Sequence, residues 1–160
     1  MATIAETKEE LDEIDLQILR LLQENAFTSY EEVGTSVGLA ESTVRYRVKK
    51  LQELGVILSF TCAIDLRKLG YDLMVVANID AETGKEKLAA QKLAKMANVI
   101  GLFSASGNSD LISIIVARNN EELAQITEKI RSVKEITKVS LSLALRTYKW
   151  ECATKIPLKS

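Results

Sequence analysis

Ser42, Arg45, Tyr46 and Lys49 recur at spacings of three and four within one short stretch. On a helix such residues share a face. Arginine offers paired donors that fit guanine edges or phosphates, and serine and tyrosine hydroxyls donate to phosphate. A helix that reads a major groove needs that chemistry. Thr43, Arg47 and Lys50 lie in the same stretch and join the candidate set. Arg47 falls beside the apolar stripe Val44, Val48 and Leu51, so two readings stand for it. One is a phosphate contact, the other an ion pair with a first-helix carboxylate such as Asp15. For the whole set the plainer alternative is a solvated basic face.

A second constellation is Gly107, Asn108, Ser109 and Asp110. Such a loop leaves backbone amide donors uncovered beside a carboxylate. The same four residue types also make an ordinary hairpin turn.

Other chemistry is excluded by count. The 160 residues contain no histidine and only two cysteines, Cys62 and Cys152. Ser-His-Asp and Cys-His nucleophile arrangements, imidazole zinc sites and a four-cysteine zinc site are all ruled out. So is a disulfide framework; two cysteines still allow one bridge, but two scattered ones more often mean reduced thiols in the cytoplasm. No paired-carboxylate or phosphate-loop pattern supports an enzyme, and no cofactor is expected. The acidic start lacks the features of a secretory signal. Apolar runs of a few residues fall far short of the roughly 18 that span a bilayer, so no membrane partner is expected.

With 47% hydrophobic and 27% charged residues the chain reads as an ordinary globular protein. Its net charge of −1 argues at first against a nucleic-acid partner. Residues 12–64 carry five basic groups against eight acidic ones, yet four of the five lie between Arg45 and Lys50. Positive charge is concentrated where a groove-reading helix would need it. Glu31, Glu32 and Glu41 nearby would oppose non-specific attraction to phosphate.

The elements that would position these residues follow from periodicity. Leu11, Ile14, Ile18, Leu21 and Leu22 mark one face of a first helix, with Asp12 and Asp15 near its start and Asn25 at its end. Ser29 and Glu32 have capping-box spacing for a second helix that ends at the Gly38 corner. A third helix is expected over residues 41–54, with Gly55 as its stop. Residues 56–64 alternate in a way that suits a short strand or wing. Beyond a connection the order reads βαββαβ, the ferredoxin-like arrangement. Strands are expected at 73–79, 99–105, 111–117 and 139–145. Helices are expected over 85–96, with Leu88, Leu93 and Met96 inward, and over 121–131, capped by Asn120.

The fold class is therefore α+β. A helix-turn-helix domain, winged-helix-like, spans 1–61, and a connection spans 62–71. A ferredoxin-like domain spans 72–147. A tail spans 148–160, and its role the sequence leaves open. Four strands and two helices cover only one sheet face, and the apolar strands leave the other face in need of a partner sheet.

The strings LDEIDLQILRLLQENA (11–26), VGL (37–39) and TVRYRVKKLQELGVI (43–57) resemble the Lrp/AsnC, or feast/famine, family of leucine-responsive regulators. LGY (69–71) and SGNSD (106–110) continue the likeness, which runs from about residue 11 to 150. The resemblance implies a cytoplasmic, sequence-specific transcriptional regulator. Family dimers set two recognition helices into successive major grooves of double-stranded DNA, and often assemble to tetramers or octamers. The resemblance makes residues 72–147 the effector-binding and oligomerisation domain: an amino acid or small metabolite binds between subunits at the loop that here is Gly107, Asn108, Ser109 and Asp110, its carboxylate on backbone amides and its ammonium group on Asp110. Three residues depart from the pattern. Ala40 replaces the usual serine cap of the recognition helix, Phe27 a frequent arginine, and Ser109 the usual aromatic before the aspartate. An alternative is a small-molecule sensor or oligomeric interaction module with weak or vestigial DNA binding.

Overall fold

The computed structural model describes residues 11–149. They form two compact units that divide between Ala63 and Ile64.

The first unit holds α1 (Glu13–Glu24), α2 (Tyr30–Val37) and α3 (Glu41–Glu53). Local chemistry explains each boundary. Asp12 caps α1, and Asp15 returns the bond in a capping box. Ser29 and Glu32 do the same for α2, as their spacing predicts. Gly38 closes α2 in the left-handed region at φ 73°, where a side chain would be strained. Ile18, Leu22, Val33, Val44 and Val48 make the core of this unit. Their spacings put one apolar stripe of each helix inward.

The alternating segment 56–64 contains no strand, which corrects the expected wing. The amides of Val56 and Ile57 both bond to the Leu51 carbonyl, and Ile57 packs on the core. Leu58 beyond it is 90% exposed. Alternation supplies strand propensity, but a ladder also needs a neighbouring strand, and none pairs with this segment among the described residues.

The second unit contains β1 (Leu73–Ala81), α4 (Glu86–Leu93), β2 (Val99–Ser104), β3 (Leu111–Ala117), α5 (Asn120–Arg131) and β4 (Ile136–Leu143). The sheet order is β2-β3-β1-β4, and every neighbouring pair is antiparallel. This is the ferredoxin-like topology that the element order predicts. Val75, Ala77 and Ile79 of β1 and Leu111, Ile115 and Ala117 of β3 face the helices. Ala89 and Leu93 of α4 and Ile126 and Ile130 of α5 complete that core.

Local corrections have physical causes. Helix α4 stops at Leu93 rather than residue 96, and Leu88 is 45% exposed while Ala89 is fully buried. The small Ala89 and Leu93, four apart, form the inward stripe, and Leu88 lies one position off it. Asn119, not Asn120, caps α5, accepting from the Glu122 amide at 2.9 Å. Strand β4 begins at Ile136, which pairs with Ala81 beyond an irregularity at Asp80/Ala81.

The other sheet face is exposed over much of its area, although Val116 on it is buried. Register places Met74 opposite Val116 and Val76 opposite Ile114, with Phe103 opposite Ile112. Phe103 is 56% exposed and Val76 36%. Of the expected tail, Trp150 onward lies outside the described residues.

Candidate nucleic-acid interface and effector loop

The corner between α2 and α3 is tight because Gly34 makes it so. The Gly34 carbonyl accepts from the Gly38 and Leu39 amides, the latter at 2.9 Å. A Cβ on Gly34 would stand 2.5 Å from the Leu39 carbonyl oxygen, so only glycine admits this approach. Sequence reasoning singled out Gly38 and missed Gly34, whose signal is a glycine one turn before the corner inside a helix.

Helix α3 buries Val44, Val48 and Leu51. At 3.6 residues per turn its outer arc then carries Ser42, Tyr46, Lys49 and Lys50, all exposed, with Thr43 and Arg45 also exposed. The structure brings these candidates onto one continuous surface. Arg45 stacks over the Tyr30 ring of α2, 5.3 Å from its centroid, and is ion-paired with Glu41. Lys49 lies 3.6 Å from Glu53. Ala40 gives α3 no side-chain cap.

Arg47 sits apart from that arc. Its Nη1 donates to Asp12 Oδ2 at 2.7 Å and Asp15 Oδ1 at 2.8 Å. Of the two readings open for this residue, the structure realises the ion pair. The Asp15 amide first, then the Arg47 guanidinium, hold the Asp12 carboxyl below its ordinary value of 3.8. The two aspartates raise the arginine in return.

Phe27 is 94% exposed. With Tyr30 and Phe60 it lines an open hollow on the first unit.

In the second unit the loop between β2 and β3 carries Gly107, Asn108, Ser109 and Asp110. Gly107 has φ 139°. Gly107 and Asn108 are exposed, while Ser109 and Asp110 are half-buried. The Ala105 amide bonds to the Asp110 carbonyl at 2.9 Å, closing the loop. Asp110 Oδ2 accepts from the Ala81 amide at 2.8 Å, so this carboxylate also ties the loop to the end of β1. The adjoining Glu82 amide bonds to the Glu135 carbonyl at 2.8 Å. The Glu135 carboxylate in turn takes Lys92 of α4 at 2.6 and 2.8 Å. No cluster of potential metal ligands occurs among the described residues. No helix there is long and apolar enough to cross a membrane.

A three-helix unit with capping boxes on its first two helices, a glycine corner and a polar, basic third helix defines a helix-turn-helix DNA-binding domain, here followed by a ferredoxin-like domain. Residues 11–52 match the AsnC-type helix-turn-helix domain, and residues 74–153 match the Lrp/AsnC ligand binding domain. The chain belongs to the Lrp/AsnC family of helix-turn-helix transcriptional regulators. It is 34% identical over 149 residues to the HTH-type transcriptional regulator FL11 of Pyrococcus horikoshii, covering 93% of this chain and 97% of that one. It is 34% identical over 140 residues to the regulator Ptr1 of Methanocaldococcus jannaschii, covering 87% and 95%. In fold it is similar to AsnC of E. coli, with a TM-score of 0.84 at 23% identity over 89% of this chain and 97% of that one. A regulator from Neisseria meningitidis, solved as an L-methionine complex, superposes with a TM-score of 0.82 at 20% identity, covering 92% and 96%.

Proposed function

We propose that this regulator binds a specific double-stranded DNA site through α3 and responds to an amino acid or related metabolite at the β2–β3 loop. The observation that carries the DNA reading is the outer arc of α3, where Ser42, Thr43, Arg45, Tyr46, Lys49 and Lys50 lie exposed around a buried stripe. Arg45 and Tyr46 supply base-edge and phosphate donors; Lys49 and Lys50 supply charge.

A single basic helix on a chain of net charge −1 has little non-specific hold, so useful affinity requires two or more copies. The open sheet face supports a homodimer. Met74, Val76, Phe103, Ile112 and Ile114 lie on it, opposite the helix-covered core. Further assembly to tetramers or octamers belongs to the same reading. The effector reading is supported by the Gly107–Asp110 loop and by the L-methionine complex of the Neisseria regulator. Bound ligand would take backbone donors at Gly107 and Asn108 and place its ammonium group near Asp110.

Gel shifts over a salt series test the reading. A duplex from upstream of the protein's own gene should be retained, with affinity falling as salt rises. Arg45→Ala should weaken specific binding far more than Lys87→Ala, an exposed lysine of the second unit. Equal losses would refute α3 as the reading helix. No retention at low salt would favour a sensor or interaction module, a reading consistent with the uncapped N-terminus of α3.

A further inference from the structure

Three side chains in the first unit make an arrangement that neither helix needs for itself. Asp12 and Asp15 already complete the N-terminus of α1: Asp12 Oδ1 accepts from the Asp15 amide at 2.8 Å, and Asp15 Oδ2 accepts from the Asp12 amide at 3.3 Å. Each carboxylate therefore has one oxygen left, and both of those oxygens accept from the same Arg47 nitrogen. The side chains of Asp15 and Arg47 are only 16% and 25% exposed.

We propose that Arg47 is a positioning residue. Held by Asp12 and Asp15, it sets the rotation of α3 about its own axis, and so the angle at which Ser42, Arg45, Tyr46 and Lys49 meet DNA, without touching DNA itself. The proposal rests on the reading of α3 as the DNA-reading helix.

Three arguments support it. First, a phosphate contact would have to draw the guanidinium away from two carboxylates, and the cluster of one cation and two anions repels a phosphate backbone as a whole. Second, Arg47 lies at the edge of α3 next to the buried stripe, while the exposed candidates occupy the remaining arc. Third, the Gly34 corner and the Arg45–Tyr30 stacking tie α3 to α2, whereas Arg47 gives it a directional tie to α1. Ala40 contributes no cap, and the contacts of Val44, Val48 and Leu51 are apolar and non-directional. Paired hydrogen bonds from arginine to carboxylates are directional, and base readout tolerates little misplacement.

The test measures affinity for the upstream duplex and for a random duplex across a salt series, with the full chain and its Arg45→Ala, Arg47→Ala, Arg47→Lys and Asp15→Asn variants. Losing a phosphate contact lowers the slope of log affinity against log salt by about one. A positioning role predicts that Arg47→Ala weakens specific binding about tenfold or more with that slope unchanged. Asp15→Asn is the decisive variant because it removes a negative charge, so electrostatics alone would tighten binding. Positioning predicts that it weakens specific binding several-fold and leaves random-duplex binding the same or tighter. Arg47→Lys should restore part of the loss, since lysine keeps the charge but not the fixed fork. Hydrogen exchange in α1 and α3 shows which variants stay folded, and Asp15→Asn and Arg47→Lys carry the test if Arg47→Ala does not. A slope reduced by about one in Arg47→Ala, or tighter specific binding by Asp15→Asn, would overturn the assignment. Failure of the unaltered chain to bind either duplex would instead overturn the DNA reading, and this assignment with it.

Discussion

Replacing Gly34 with alanine opposes two effects whose sizes can be compared. Within a helix the exchange is ordinarily favourable by about 1 kcal/mol. Here the new Cβ would stand 2.5 Å from the Leu39 carbonyl oxygen, where ordinary contact begins at 3.4 Å, so backbone must retreat by about 0.9 Å. The obstacle is a main-chain atom, which no rotamer change can relieve. Overpacking of this kind costs about 1–3 kcal/mol. The retreat also stretches the hydrogen bond that the Leu39 N–H donates to the Gly34 carbonyl, 2.9 Å long at present, which is worth about 1 kcal/mol. The clash and the stretched bond outweigh the propensity gain, for a net destabilisation of about 1–3 kcal/mol. The loss should be confined to the first unit. Hydrogen exchange followed by mass spectrometry is the suitable assay, because it reads each unit separately. Amides of α2 and α3 should exchange roughly five- to 150-fold faster, the factor that about 1–3 kcal/mol gives, with β1 and β3 unchanged. DNA affinity should fall in parallel, since the corner sets the approach of α3. Equal or slower exchange in α2 and α3 would refute the argument that this close approach dictates glycine.

Three further outcomes are expected. Ser113 is fully buried and its hydroxyl has no partner among the described residues; an unsatisfied buried group costs about 1–3 kcal/mol, so Ser113→Ala should raise the urea midpoint or leave it unchanged. Lys92 holds the Glu135 carboxyl below its ordinary value of 4.5. Because the folded value is the lower one, that contribution is complete above the ordinary value and vanishes as pH falls through the lowered one. Glu135→Gln should therefore flatten the acid limb of stability against pH, measured by urea melts at pH 3–6. Phe103→Lys, on the open sheet face, should shift sedimentation velocity profiles toward monomer with the ferredoxin-like fold kept in circular dichroism; unchanged association would refute that face as the interface.

The legibility of these features in the sequence tracks the distance between partners along the chain. The capping boxes of α1 and α2, the Gly38 corner and the stripe of α3 involve residues three or four apart, and all were readable. The order βαββαβ was readable for a similar reason, since alternation and turn chemistry are local. Segment 56–64 shows the converse. Its alternation is real, yet a strand exists only when another lies alongside. Helix α4 shows how a one-position error arises, because Leu88 is the larger hydrophobe but Ala89 permits the close approach to the sheet.

The sequence by itself determined the helix-turn-helix, the strand and helix order of the second unit, and the residues available for chemistry on α3 and in the 107–110 loop. Side-chain propensity, caps and period act within a few residues, so they can be read without knowing the fold. Only the tertiary structure decided what several of those residues do. Arg47 meets Asp12 and Asp15 across 35 and 32 positions. Asp110 reaches the Ala81 amide across 29, and Lys92 reaches Glu135 across 43. A basic residue beside an apolar stripe, or an aspartate after a glycine turn, suits more than one partner equally well. The choice among them is made by packing and register, which bring one partner within hydrogen-bonding distance and leave the others out of reach.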